Sequence, residues 1–277
     1  MRKYFQRKMR KNRLSSLFFC ILCSFYVLFS YFCCLIMVFS VNVIVLRCFM
    51  FADTKMMVDV LSPDEGRLSC VLRTGKSKAA MVRRQIFQPL ALLELTLERK
   101  SVGQLPTIKE AHIATPYSTI PFHPYKLTIS MFLAEFLCST TRSEQQTGAL
   151  YHYISDSMQW LDTVGSNFSN FHLVFMMRLT QFVGFYPNLD SYAEGCSFDL
   201  QSGCFVPYTQ HQHGFLDAED SKKMYLLMRM NYQNMHLFKM SHTERNRCLD
   251  VILEFYSLHV PDFHELKSLG VLREIFE

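Results

Sequence analysis

The 277-residue sequence lacks the short motifs that mark the common catalytic folds. It contains no Gly-x-Ser-x-Gly elbow, no His-Glu-x-x-His zinc motif and no Gly-x-Gly-x-x-Gly dinucleotide fingerprint. Gly75, Lys76 and Ser77 resemble the end of a phosphate loop, but Cys70 stands where that motif requires its first glycine. Carboxylates such as Asp59 and Glu94 are isolated in apolar segments and suggest no acid–base pair. We therefore expect neither enzymatic activity nor a cofactor.

The ten cysteines lack the paired spacing of a disulfide framework. Scattered cysteines with apolar neighbours are typical of buried thiols in a reducing compartment. One loop, residues 190–214, holds a grouping with metal-ligand chemistry: Cys196, Cys204, His211 and His213. The two cysteines are loosely spaced for zinc, and the histidines are flanked by polar residues. We therefore expect two thiols that are packed or have no role, beside surface histidines, and no bound metal. The competing interpretation is a metal-dependent hydrolase built on these four residues.

The first 46 residues combine a basic head with a run that has no charge. Seven of the first thirteen residues are basic, and the segment from Leu17 to Leu46 is long enough to cross a membrane as a helix. It reads as a signal anchor, a cleaved signal peptide, or upstream sequence ahead of a true start at Met37. The run is rich in Phe, Cys, Ser and Tyr, which is unusual for a membrane helix. The end of the run is also needed as the first strand of the following β-domain. Both observations favour a true start at Met37.

Charge divides the remainder of the chain into two parts. Residues 47–112 hold 11 basic and 7 acidic residues, whereas residues 113–277 hold 11 basic and 17 acidic residues. The net charges are therefore +4 and −6. This asymmetry indicates a basic binding module joined to a domain with another task.

The segment from Arg73 to Arg84 contains five basic residues and no acid, and it lies between runs of strand-like alternation. A small β-barrel with a cationic connection is the arrangement that OB-folds use for single strands. The alternative is a solvated lysine-rich loop on an ordinary β-domain. As phosphate-binding residues we predict Arg67, Arg73, Lys76, Lys78, Arg83 and Arg84. Second-rank candidates are Lys55, Arg99 and Lys109.

From about Phe122 onward the apolar period becomes helical. Helices are predicted after Pro124, over 149–162, through the Phe168–Phe182 stripe, and over 217–237, 242–260 and 262–276. We interpret the phenylalanine stripe as core packing. The predicted fold class is α+β, with an N-terminal OB-fold barrel over 37–115 and a mainly helical domain over 116–277, preceded by the extension 1–36.

The order of several segments resembles a known family. These are VIVLR, MVDVLSPDEGRLSCVL, FQPLALLEL and TIKEAH in the first part, and YKLTISMFLAEFL, FHLVFMMRLTQFVGFYPNL, SFDLQSGCF and LKSLGVL in the second. Together they resemble RecO, the bacterial recombination mediator family, in its Bacteroidetes-type form, over roughly Met37 to Phe276. Two features depart from the family. Many members carry a four-cysteine zinc site, and here Tyr192 stands near the position where its first cysteine is expected, so that only Cys196 and Cys204 remain. Residues 1–36 have no counterpart in the family.

The resemblance implies a DNA repair and homologous recombination mediator of the RecF pathway. Such proteins bind single- and double-stranded DNA, anneal strands, contact RecR and the tail of single-strand-binding protein, and assist RecA loading. It also implies a cytoplasmic, nucleoid-associated protein, with no membrane partner unless residues 1–46 are a genuine anchor. The alternative is a single-pass membrane protein whose basic domain binds lipid or nucleic acid.

Overall fold

A computed structural model describes residues 37–75, 84–101, 103–141, 148–208 and 214–275. The basic head and residues 17–36 of the uncharged run lie outside these ranges. In the described N-terminal part, five strands form a closed barrel in the order β1-β2-β3-β5-β4. Their bounds are β1 Met37–Ala52, β2 Lys55–Ser62, β3 Gly66–Arg73, β4 Leu92–Arg99 and β5 Thr107–Thr115. Only the β3–β5 pairing is parallel, and the barrel has the predicted OB-fold architecture.

Strand β1 holds the barrel together because it pairs along its length with two partners. Residues 37–44 pair with β4, and residues 44–52 pair with β2. Val43 and Val45 are buried inside the barrel, whereas Ile44 and Leu46 are buried against the helical part. A strand covered on both faces needs a continuous apolar run rather than alternation. This requirement explains why the four consecutive buried residues 43–46 are all apolar.

The second part is mainly helical, as predicted. Its described helices are α1 Pro124–Thr140, α2 Gly148–Thr163, α3 Phe171–Val183, α4 Ala218–Arg229, α5 His242–His259 and α6 Leu269–Ile275. Three short strands, β6 Ser197–Asp199, β7 Cys204–Val206 and β8 Phe215–Leu216, form a small sheet in the order β7-β6-β8. Within the described ranges, no helix is both long and apolar enough to cross a bilayer.

Local signals in the sequence account for several helix ends. Proline in the first turn opens α1, where its missing N–H costs no hydrogen bond. Ser241 and Glu244 form a reciprocal capping box at the start of α5. Gly184, with φ +90°, ends α3 in the left-handed conformation that glycine adopts without strain. Phe171 and Phe175 of α3 are fully buried, which confirms core packing for the stripe.

Two predicted helices are shorter in the structure. The helix predicted over 217–237 ends at Arg229, because Met230 is extended and the side chain of Asn231 accepts hydrogen bonds from the amides of Gln233 and Asn234. These contacts build a local turn that competes with helix. The helix predicted over 262–276 begins only at Leu269. Asp262, with φ +54°, interrupts it.

A buried polar cluster secures the connection between the two parts. Asp162, at the end of α2, accepts hydrogen bonds from the backbone amides of Ser118, Thr119 and Ile120, each at 2.8 Å. Burial raises the pKa of this carboxyl, but the hydrogen bonds outweigh burial and lower the pKa from 3.8 to about 2. Lys126, also buried, donates to the carbonyl oxygens of Asp162 and Val164. The linker after β5 is therefore fixed to the helices.

Candidate nucleic-acid interface

The basic run begins at the end of the barrel where β3 ends and β2 starts. Arg73 is the last residue of β3 and faces Lys55, the first residue of β2, across the ladder. The amide of Thr74 continues this pairing by donating to the carbonyl of Thr54 at 2.8 Å. Arg73 and Lys55 are both exposed. Two predicted cations therefore stand beside the turn that joins β1 to β2.

The far end of the run returns to β1 at Cys48, four residues before the end of that strand. The thiol of Cys48 donates to the carbonyl of Phe87 at 3.5 Å, so the segment after Arg84 lies against the distal half of β1. Partial burial raises the pKa of the Cys48 thiol, and the positive charge of nearby Arg84 opposes that rise. Arg84 is exposed. Lys76, Lys78 and Arg83 lie outside the described residues, so their assignments stay predictions.

Arg67 is positioned differently from the other predicted cations. Its guanidinium donates to the carbonyl of Cys138 in α1 at 2.7 Å and to the carboxylate of Asp59 at 3.3 Å. Only 16% of its side chain is exposed. The structure thus gives Arg67 internal acceptors at the boundary of barrel and helices, a role that its sequence context does not indicate. Its predicted phosphate contact is untested, and from these internal contacts we expect a role in stability instead.

Asp59, which looks isolated in sequence, is the buried centre of an ion-pair network that reaches the surface through Arg47. It accepts hydrogen bonds from Arg47 at 2.6 Å, from Ser69 at 2.6 Å and from Arg67. Burial raises its pKa, but the hydrogen bonds from Ser69 and Arg47 and the two positive charges lower it below the ordinary value. The carboxylate therefore stays ionised, and its charge is balanced by the two arginines.

The second-rank cations have acidic neighbours. Arg99 pairs with Glu65 at 3.1 Å, and Lys109 pairs with Glu98 at 2.6 Å. Exposed pairs of this kind are weak. Each nevertheless reduces the net positive charge that a phosphate would meet. Of the second-rank set, Lys55 faces Arg73 across the β2–β3 ladder, and Lys109 approaches Arg73 with Glu98 between the two charges.

An apolar feature at the same end of the barrel was missed by sequence reasoning. Phe49, Met50 and Phe51, near the end of β1, are 44%, 42% and 70% exposed. The guanidinium of Arg47 lies 5.4 Å from the centre of the Phe49 ring. Exposed apolar clusters with a polar surround mark interaction sites. The sequence pattern, three apolar residues just before Asp53 and Thr54, resembles an ordinary strand end and gives little warning.

The predicted metal-like grouping is not assembled by the residues that the structure describes. Cys196 is buried just before β6, whereas Cys204 lies in β7 opposite Asp199. The two cysteines are thus offset by three ladder positions, or ~10 Å of strand. His211 and His213 lie outside the described residues. Across the described ranges, no three His, Cys, Asp or Glu side chains are grouped as metal ligands.

A groove of about 770 Å³ separates the barrel from the helices. Its apolar lining comes from Leu46 of β1, from Met131 and Ala134 of α1, and from Val271 of α6. Glu135 stands at its edge and accepts hydrogen bonds from the amides of the segment before α6. The groove has room for a peptide segment and contains no catalytic constellation among the residues described.

Comparison with known proteins connects both parts to one family. Residues 37–117 match the family description "Recombination protein O N terminal", and residues 122–269 match "Recombination protein O C terminal". The "DNA repair protein RecO" of Phocaeicola vulgatus is 45% identical over 233 residues, covering 84% of this chain and 97% of that protein. The protein of the same name from Bacteroides fragilis is 43% identical over 235 residues, with the same two coverages.

A relative with lower identity carries the same family name. The "DNA repair protein RecO" of Azobacteroides pseudotrichonymphae is 36% identical over 241 residues, covering 87% of this chain and all of that protein. The matches extend across the barrel and most of the helical part. The chain therefore belongs to the RecO family of DNA repair proteins.

Proposed function

We propose that residues 37–115 form a DNA-binding domain that holds the phosphates of single-stranded DNA at the hairpin end of the barrel. The observation that supports this proposal is the pair of exposed cations Lys55 and Arg73 beside the β1–β2 turn, with exposed Arg84 near Cys48 of strand β1. Exposed cations there can follow a phosphate backbone without reading bases. Lys76, Lys78 and Arg83 would add charge from the same connection.

The proposed biological task is that of a recombination mediator without catalytic activity. A protein that holds single strands through their phosphates leaves base edges available, which suits strand annealing and help in loading RecA. We propose these activities, together with binding to RecR and to the tail of single-strand-binding protein, because the chain resembles the RecO family in sequence. The groove between β1 and α1 has room for such a tail.

The salt dependence of binding tests the phosphate contacts. For single strands, each phosphate neutralised contributes about 0.7 to the slope of log affinity against log salt. Replacing Arg73 and Arg84 with alanine should weaken binding to every sequence alike and flatten the slope by about 1.4. The binding of a fluorescent oligonucleotide between low and moderate salt measures both quantities.

A matched control uses exposed cations of the helical domain. Arg178→Ala with Lys222→Ala removes the same charge from α3 and α4. This control should leave the slope unchanged. Equal slopes for the wild type and the Arg73/Arg84 variant, at wild-type affinity, would show that DNA binds elsewhere.

A further inference from the structure

The end of β1 exposes two aromatic rings, one of which lies at an irregularity of the strand. The ladder between β1 and β2 shifts register between Met50 and Ala52, so Phe51 falls in the irregular position. Such bulges re-aim a side chain and are frequent beside functional sites. Phe51 is 70% exposed at this irregular position, and Phe49, which pairs regularly with Met57, is also substantially exposed. Two aromatic rings thus stand at the end of an otherwise well-packed barrel.

The charges around these rings favour an anionic occupant. Arg47 lies over the Phe49 ring, and Lys55 and Arg73 face each other just beyond Phe51. Asp53 is the one acid in the turn itself. A second copy of the chain docked symmetrically here would bring these cations together, which like-charge repulsion disfavours. A polyanion with flat apolar groups could pair with the cations and stack on the aromatic rings.

We propose that Phe49 and Phe51 form a stacking platform for unpaired bases of single-stranded DNA. This inference rests on the proposed function and extends it from phosphates to bases. Every base has a π-face, so stacking on an aromatic ring is tolerant of sequence. The neighbouring cations hold the backbone while the rings hold the bases. The platform distinguishes an unpaired strand from a duplex, whose bases are already stacked.

Oligonucleotides with and without bases test the platform. The full chain is titrated with a fluorescent oligothymidylate and with an abasic oligomer of equal length, which has the same number of phosphates. The wild type should prefer the base-bearing strand. Phe51→Ala should lose about tenfold in affinity for oligothymidylate and keep its affinity for the abasic strand. Because phosphate contacts are untouched, the salt slope should not change.

Two further variants make the result specific. Phe51→Trp should keep the preference for bases and should show fluorescence quenching by the oligonucleotide. Phe122→Ala removes another exposed ring, 82% exposed and located before α1, and should behave as the wild type. Melting temperatures of Phe51→Ala and Phe122→Ala should match the wild type, because both rings are exposed.

The outcomes separate this inference from the function on which it rests. If the wild type binds both oligomers equally, phosphate binding stands and the stacking platform is wrong. If it binds neither, the proposed function itself fails. Equal losses for both oligomers in Phe51→Ala would also overturn the platform. The platform would also be wrong if Phe51→Ala sedimented differently from the wild type but kept the same preference for base-bearing strands. That result would identify this surface as a contact between copies of the chain.

Discussion

Replacing Arg67 with alanine should destabilise the protein without changing how it binds DNA. The substitution removes hydrogen bonds to the carbonyl of Cys138 and to the carboxylate of Asp59. Hydrogen bonds to charged groups contribute about 1.5–3 kcal/mol each, and the longer contact to Asp59 contributes less than the shorter one. Asp59 keeps Arg47 and Ser69 as partners. The expected loss in free energy of unfolding is about 3 kcal/mol.

Thermal and urea unfolding measure this loss. For a protein of this size, about 3 kcal/mol corresponds to a fall in melting temperature of roughly 6–12 °C. Arg84→Ala, at an exposed position, is the matched control and should melt as the wild type does. The salt slope of DNA binding, measured well below the melting transition, should be unchanged in Arg67→Ala. A normal melting temperature with a slope flattened by about 0.7 would refute this reasoning and make Arg67 a phosphate ligand.

Two other predictions concern stability and metal content. Asp162→Asn should lower the free energy of unfolding by about 2 kcal/mol near neutral pH, because the folded state holds the pKa at about 2 against 3.8. That contribution is fully present above pH 4 and is lost as pH falls through 2. The difference in urea midpoint between the wild type and Asp162→Asn should therefore shrink on acidification, and a constant difference would contradict this prediction. Purified protein should contain well under one zinc per chain, and chelators should leave its melting temperature unchanged. One zinc per chain in the wild type, lost in Cys196→Ser or Cys204→Ser, would show that these cysteines form a zinc site.

The barrel and the main helices could be predicted because their signals are local. The turn at residues 63–65 and the glycine that opens β3 separate two strands in the sequence itself. Gly184 marks the end of α3 in the same way. The end of α4 was missed because a side-chain turn at Asn231 competes with helix, although asparagine pairs are a known turn signal.

The candidate site was only partly predictable, because its arrangement depends on contacts between distant residues. Arg67 finds its acceptor in Cys138, 71 residues further along the chain. Composition identifies Arg67 as a cation but cannot tell which way its side chain points. The exposure of Phe51 depends on a register shift that no residue type announces. The cationic character of the barrel end was predicted, whereas its aromatic character required the structure.

Amide hydrogen exchange of the full chain, with and without a single-stranded oligonucleotide at low salt, tests most directly where DNA binds. We predict slower exchange over residues 49–55, at the hairpin end of the barrel, and over the basic run 73–84, with little change over residues 186–208 of the helical domain. Raising the salt should remove this protection as binding weakens. Protection confined to the helical domain, with the hairpin end unchanged, would contradict the account.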